Sequence, residues 1–129
     1  MNAELTYLVW ISLFTALLWI PYVLNRFAVR GIRDTVGYPS NPKPLRPWAE
    51  RMKAAHGNAV ENLAVFAALV LAAQAAGVST AITAAAAMVY FWARVVHAVT
   101  YALGVPWLRT LAFVAGFGAE IAIAFELLI

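Results

Sequence analysis

Between Glu4 and Arg26 the chain carries no charged side chain, and between Glu61 and Arg94 it again carries none. About 20 apolar residues in a helix cross a bilayer core of roughly 30 Å, so Leu5 to Asn25 suffices for one crossing. Asn62 to Ala93 is about the length of two crossings less their charged ends, and the polar, glycine-containing run from Gln74 to Thr80 breaks it into a tight helical hairpin. From Trp107 to Leu128 only Arg109, Glu120 and Glu126 interrupt a further apolar run. These stretches predict an all-α integral membrane protein. It is a four-helix transmembrane bundle in one domain over residues 1–129, with spans near 5–25, 56–76, 79–103 and 107–128 and a cytoplasmic loop over about 26–55.

A mean hydropathy of +0.80 and a hydrophobic content of 64% exclude an ordinary soluble domain. The absence of cysteine removes disulfides, thiolate metal sites and a cysteine nucleophile together. An isoelectric point near 9.6 suggests nucleic acid at first sight. However, Arg26, Arg30, Arg33, Lys43, Arg46, Arg51 and Lys53 all fall in the first inter-helix segment, a pattern that the positive-inside rule explains better. No nucleic-acid partner is expected. With the basic segment cytoplasmic, four spans give an N-out/C-out topology and return the turn at Gly104-Val105-Pro106 to the cytoplasmic side. Met1-Asn2-Ala3-Glu4 lacks the positive region of a secretory signal, so the first span is expected to be retained. A compact, alanine-rich, cysteine-free chain suits a bacterial inner (plasma) membrane.

Pro39, Pro42, Pro44 and Pro47 predict an extended, irregular loop, either an ordered cover or a linker. The run Ala84-Ala85-Ala86-Ala87, the alanines of the second span and Gly116 and Gly118 allow close helix packing in lipid.

Polar residues inside the spans narrow the chemistry. Asn58, Glu61 and Asn62 share one helical face just inside the second span, and Arg94, His97 and Tyr101 form a stripe along the third. An unpaired arginine in a membrane helix costs about 2.5–3.5 kcal/mol on insertion scales, so Arg94 needs a partner. Glu61 matches it in depth, either as a buried ion pair pinning two helices or as part of a ligand site. His56, at a helix start, reads as structural. Arg109 lies in the first turn of the last span and points either to lipid phosphates or inward to an anion. For Glu120, a protonated state, a crevice and a symmetry mate all stay open. No zinc, phosphate-loop or Ser/His/Asp signature occurs, so the available groups are arginine, tyrosine, asparagine and glutamate, which suit a small anionic or zwitterionic ligand.

Glu50-Arg51-x-x-x-Ala55-His56-x-Asn58-x-x-Glu61, then Arg94-x-x-His97-x-x-x-Tyr101, then Pro106-x-x-Arg109, resembles the MAPEG family, the membrane-associated proteins in eicosanoid and glutathione metabolism. The likeness covers nearly the whole chain. It implies a homotrimer of four-helix subunits that binds glutathione between neighbouring subunits near the cytoplasmic face, with membrane lipids and a lipophilic small-molecule substrate as further partners. The resemblance implies Asn58, Glu61, His97 and Tyr101 as glutathione contacts, with Arg51, Arg94 and, from the end of the first span, Arg26 or Arg30 around them. Arg109 resembles the arginine that stabilises the glutathione thiolate, and Thr110 stands where some members place a serine beside the sulfur. Ala54 replaces an arginine common in the family, and Phe113 a tyrosine found in some synthases, so prostaglandin or leukotriene synthesis is not implied. The expectation is a detoxifying glutathione transferase or peroxidase acting on lipophilic electrophiles. A non-catalytic lipid-binding or scaffold trimer is the alternative. A small multidrug transporter fits less well, because the first span has no carboxylate and the charge asymmetry is strong.

Overall fold

The computed structural model describes residues 1–129 as five helices and no strand: α1 (Ala3–Leu17), α2 (Trp19–Val36), α3 (Pro47–Ala76), α4 (Ala81–Leu103) and α5 (Pro106–Leu128). α1 and α2 run together through Leu18, so four helical rods are long and apolar enough to cross a membrane. Exposed Trp10, Leu13, Val65, Leu111, Phe117 and Ile121 line the outside, as expected where lipid rather than water is the solvent. The protein is an integral membrane protein.

Helix ends follow local chemistry. Proline opens α3 and α5, where its missing N–H costs nothing. Thr80 and Thr83 cap each other at the start of α4. Gly104 closes α4 with φ +76, a conformation that lets the chain turn sharply into α5.

The loop expected over 26–55 is much shorter. Helix continues past the charges to Val36 and resumes at Pro47, which leaves 37–46 non-helical. A charged residue ends the hydrocarbon crossing but not the helix: α3, at 30 residues and about 45 Å, simply projects beyond the membrane core. Gly31, at φ 75, breaks the helical path within α2. The connection is an ordered cover. Leu45 is buried beside Tyr22 and Ala49, the Arg46 N–H donates to Asn25 Oδ1 at 3.0 Å, and Arg30 Nε donates to the Lys43 carbonyl at 2.7 Å.

The core lies along α1, α3, α4 and α5. Phe66 and Tyr90 stack at 3.9 Å, and Ile11, Val70 and Ile123 close around them. Beyond this apolar plug the far end is polar. Glu4 accepts hydrogen bonds from Ser79 and Thr83, and Thr80 donates to Glu126. The termini and the α3–α4 turn therefore meet at one end of the bundle, and the basic α2–α3 connection and the α4–α5 turn occupy the other.

Candidate functional site

α4 and α5 are antiparallel, and their facing residues pair in a regular register. The Arg109 guanidinium lies 4.7 Å from the Tyr101 ring centre, and His97 packs 6.1 Å from Phe113. Arg94 crosses over Gly116, where an added Cβ would stand 3.5 Å from Arg94 Cδ. One turn further on, Glu120 comes opposite Tyr90, within electrostatic reach of both Tyr90 and Arg94. The Arg94, His97 and Tyr101 stripe of α4 thus meets the Arg109, Phe113, Gly116 and Glu120 stripe of α5.

At the basic end this seam opens. Asn58, His97, Tyr101, Arg109, Thr110 and Phe113 line a cleft of about 280 Å³. Next to it, Arg51, Tyr101, Gly104, Val105, Pro106 and Arg109 line a hollow of about 190 Å³. Tyr101 and Arg109 belong to both, so the two form neighbouring parts of one polar recess. Arg51 Nε donates to the Ala102 carbonyl at 3.0 Å, which points its remaining guanidinium donors at the turn. Arg94, only 2% exposed, lies behind the cleft and donates from Nη2 to Asn58 Oδ1 at 2.6 Å. The recess is bordered by arginines and lined by no carboxylate. That donor set recognises an anion.

The expected pairing of Glu61 with Arg94 does not form. Asn58 occupies the guanidinium, and Glu61, three residues further along α3, is exposed on the outer surface of the subunit. Matching depth brought the two residues to one level of the membrane, but a residue's facing direction depends on helix rotation, which depth does not supply. Arg30 also stands apart, held by the Lys43 carbonyl. Within one chain, then, Arg51, Asn58, His97, Tyr101, Arg109 and Thr110 come together, Arg94 supports them from behind, and Arg30 and Glu61 lie outside. The Thr110 hydroxyl donates to the Pro106 carbonyl at 3.0 Å, so its lone pairs rather than its proton are available to a ligand. His56 is structural: its Nδ1 and the Tyr22 hydroxyl share a hydrogen bond of 2.6 Å. His97 Nδ1 is buried without a partner. Phe113, read in the sequence only as a departure from a family tyrosine, forms a wall of the cleft, and Gly104, read only as part of a turn, is the floor beneath Arg51.

The MAPEG family matches residues 7–129, nearly the whole chain. The chain belongs to the MAPEG family. Comparison with curated proteins and with solved structures gives no match. MAPEG proteins include glutathione transferases and peroxidases among other members, and glutathione is their common substrate or cofactor. The arginine-bordered, carboxylate-free recess lies at the end of this MAPEG bundle where α4 turns into α5.

Proposed function

We propose that this protein is a glutathione-dependent membrane transferase or peroxidase that acts on lipophilic electrophiles. One observation carries the reading: Arg109, Tyr101, His97 and Asn58 converge on a single cleft in a member of a family that uses glutathione. A free thiol has a pKa near 8.5, and only the thiolate is a strong nucleophile. Arg109 beside the sulfur favours the thiolate by direct charge interaction. In conjugation, the sulfur forms a bond to an electrophilic carbon, a leaving group such as halide departs with its electron pair, and the thiol proton leaves through the open cleft. Holding both reactants in place supplies the rest of the acceleration.

The assembly is a homotrimer in this reading, with glutathione at the junction of adjacent subunits. Glutathione also has an ammonium group, and the cleft of one chain offers it no carboxylate. Glu61, exposed at membrane depth, finds in a neighbouring subunit both cover from lipid and a place at the ligand. Arg30 of the adjacent subunit supplies a further cation. The basic end faces the cytoplasm, where glutathione is drawn from, and the electrophile enters sideways from the bilayer.

Calorimetry with glutathione on detergent-solubilised protein, run beside a conjugation assay with an aryl halide, tests this function. Saturable binding below millimolar glutathione together with turnover is expected. No heat of binding at millimolar glutathione sinks the reading.

The alternative, a non-catalytic lipid-binding trimer, draws on a different feature. Met88, Trp92, Val96, Leu108 and Leu111 line an apolar groove of about 400 Å³ on the opposite side of the α4–α5 pair from the cleft. Co-purified lipid in stoichiometric amount with no glutathione binding favours that reading.

A further inference from the structure

Glu120 is a buried carboxyl group to which the proposed chemistry gives no part. It is 5% exposed, and its Oε1 is buried without a hydrogen-bond partner. The α4–α5 register sets it one turn beyond Gly116, and it is at Gly116, where α5 has no side chain, that the Arg94 side chain crosses. Arg94 Nε is likewise buried without a partner.

The seam therefore holds two orphaned groups of opposite character, a donor on Arg94 and an acceptor on Glu120, within electrostatic reach but not in ion-pair contact. Buried polar groups in native proteins are satisfied, by ordered water where no side chain reaches, and isolated charges at membrane depth are costly. No other cation competes for Glu120. Arg109 stands eleven residues away on the same helix, about 16 Å. Toward the far end, Ala119, Ile123 and Phe66 close the route, and the Tyr90 hydroxyl, within electrostatic reach of both Arg94 and Glu120, is a neutral group that cannot serve as a counter-charge.

We propose that Glu120 is the intramembrane counter-charge of Arg94, joined to its Nε through a bridging water, and that it acts as a positioning residue holding the guanidinium against Asn58. Glu120, Arg94 and Asn58 then form a polar clamp across α5, α4 and α3, directly behind the cleft. The clamp stands without the glutathione reading. Only its effect on ligand affinity rests on that reading.

A stability cycle on the full-length protein in detergent decides the matter, comparing the thermal midpoints of wild type, E120Q, R94Q and the double variant. A clamp predicts that each single variant lowers the midpoint and that the double falls no further than the lower single. Additive losses overturn it. Should R94Q fail to fold alone, folding restored by adding E120Q supports the clamp, and failure of the double as well overturns it. Glutathione titration adds a readout that a purely structural role would not move. E120Q, a substitution of equal size, is expected to weaken binding by about tenfold, with E120D recovering part of the loss. Unchanged affinity in E120Q overturns the positioning role. A wild type that does not bind glutathione removes the functional reading and leaves the stability cycle to judge the clamp.

Discussion

Arg94 Nη2 donates to Asn58 Oδ1 at 2.6 Å, so on the cleft side the one arginine sunk in the middle of α4 meets a neutral amide. The choice has a chemical consequence. The bond fixes Asn58 at the wall of the cleft, so an amide rather than a carboxylate faces the site, and Arg109 and Arg51 set a field there that attracts anions.

Replacing Asn58 with alanine leaves a buried guanidinium without that acceptor. Hydrogen bonds to charged groups are worth about 1.5–3 kcal/mol, and a loss of that size is expected in the unfolding free energy of Asn58→Ala. Unfolding in a denaturing detergent series measures it; a loss below about 0.5 kcal/mol is at the floor for a hydrogen bond and contradicts the assignment.

Glu61→Gln separates ligand binding from subunit folding. Glu61 touches no cation in its own subunit and is exposed, so the thermal midpoint of the subunit is expected to change little. Glutathione affinity is expected to fall about tenfold or more as a charged contact to the ligand ammonium is lost. An unaltered dissociation constant would place Glu61 outside the ligand site.

Gly104 is the hinge on which the Arg51 side of the recess depends. An alanine there must hold φ +76 and would meet the Arg51 guanidinium at 3.3 Å. The left-handed backbone alone costs roughly 1–2 kcal/mol. Gly104→Ala is therefore expected to lower stability and to weaken glutathione binding together, as calorimetry and thermal melts on one preparation will show. Gly77→Ala, with a similar φ at the far end of the bundle, serves as the control and should lower stability alone.

The sequence made much of this architecture readable for physical reasons. The uncharged stretches mark the crossings because lipid tolerates so few charges, and the stripe of Arg94, His97 and Tyr101 marks one face because a helix repeats every 3.6 residues. Relations between helices were less accessible. The partner of Arg94 depended on the rotation of α3, which turned Asn58 inward and Glu61 out. The place of Glu120 depended on the α4–α5 register, which no single helix encodes. The extent of α2 and α3 beyond the membrane was hidden because hydropathy reports the solvent around a helix and not its end.

Arg109 is proposed to stand beside the glutathione sulfur, and a pH titration of the bound thiol by its thiolate absorbance is the most direct test. An opposite charge within about 4–6 Å lowers an acid's pKa by about 1–3 units. That sets the pKa of the bound thiol at about 5.5–7.5, so the wild-type complex should hold far more thiolate at pH 7 than free glutathione does and lose it as the pH falls through that range. In Arg109→Ala the titration should move up toward the free-thiol value near 8.5. A bound thiol that titrates like free glutathione in the wild type, or identically in both proteins, contradicts the account.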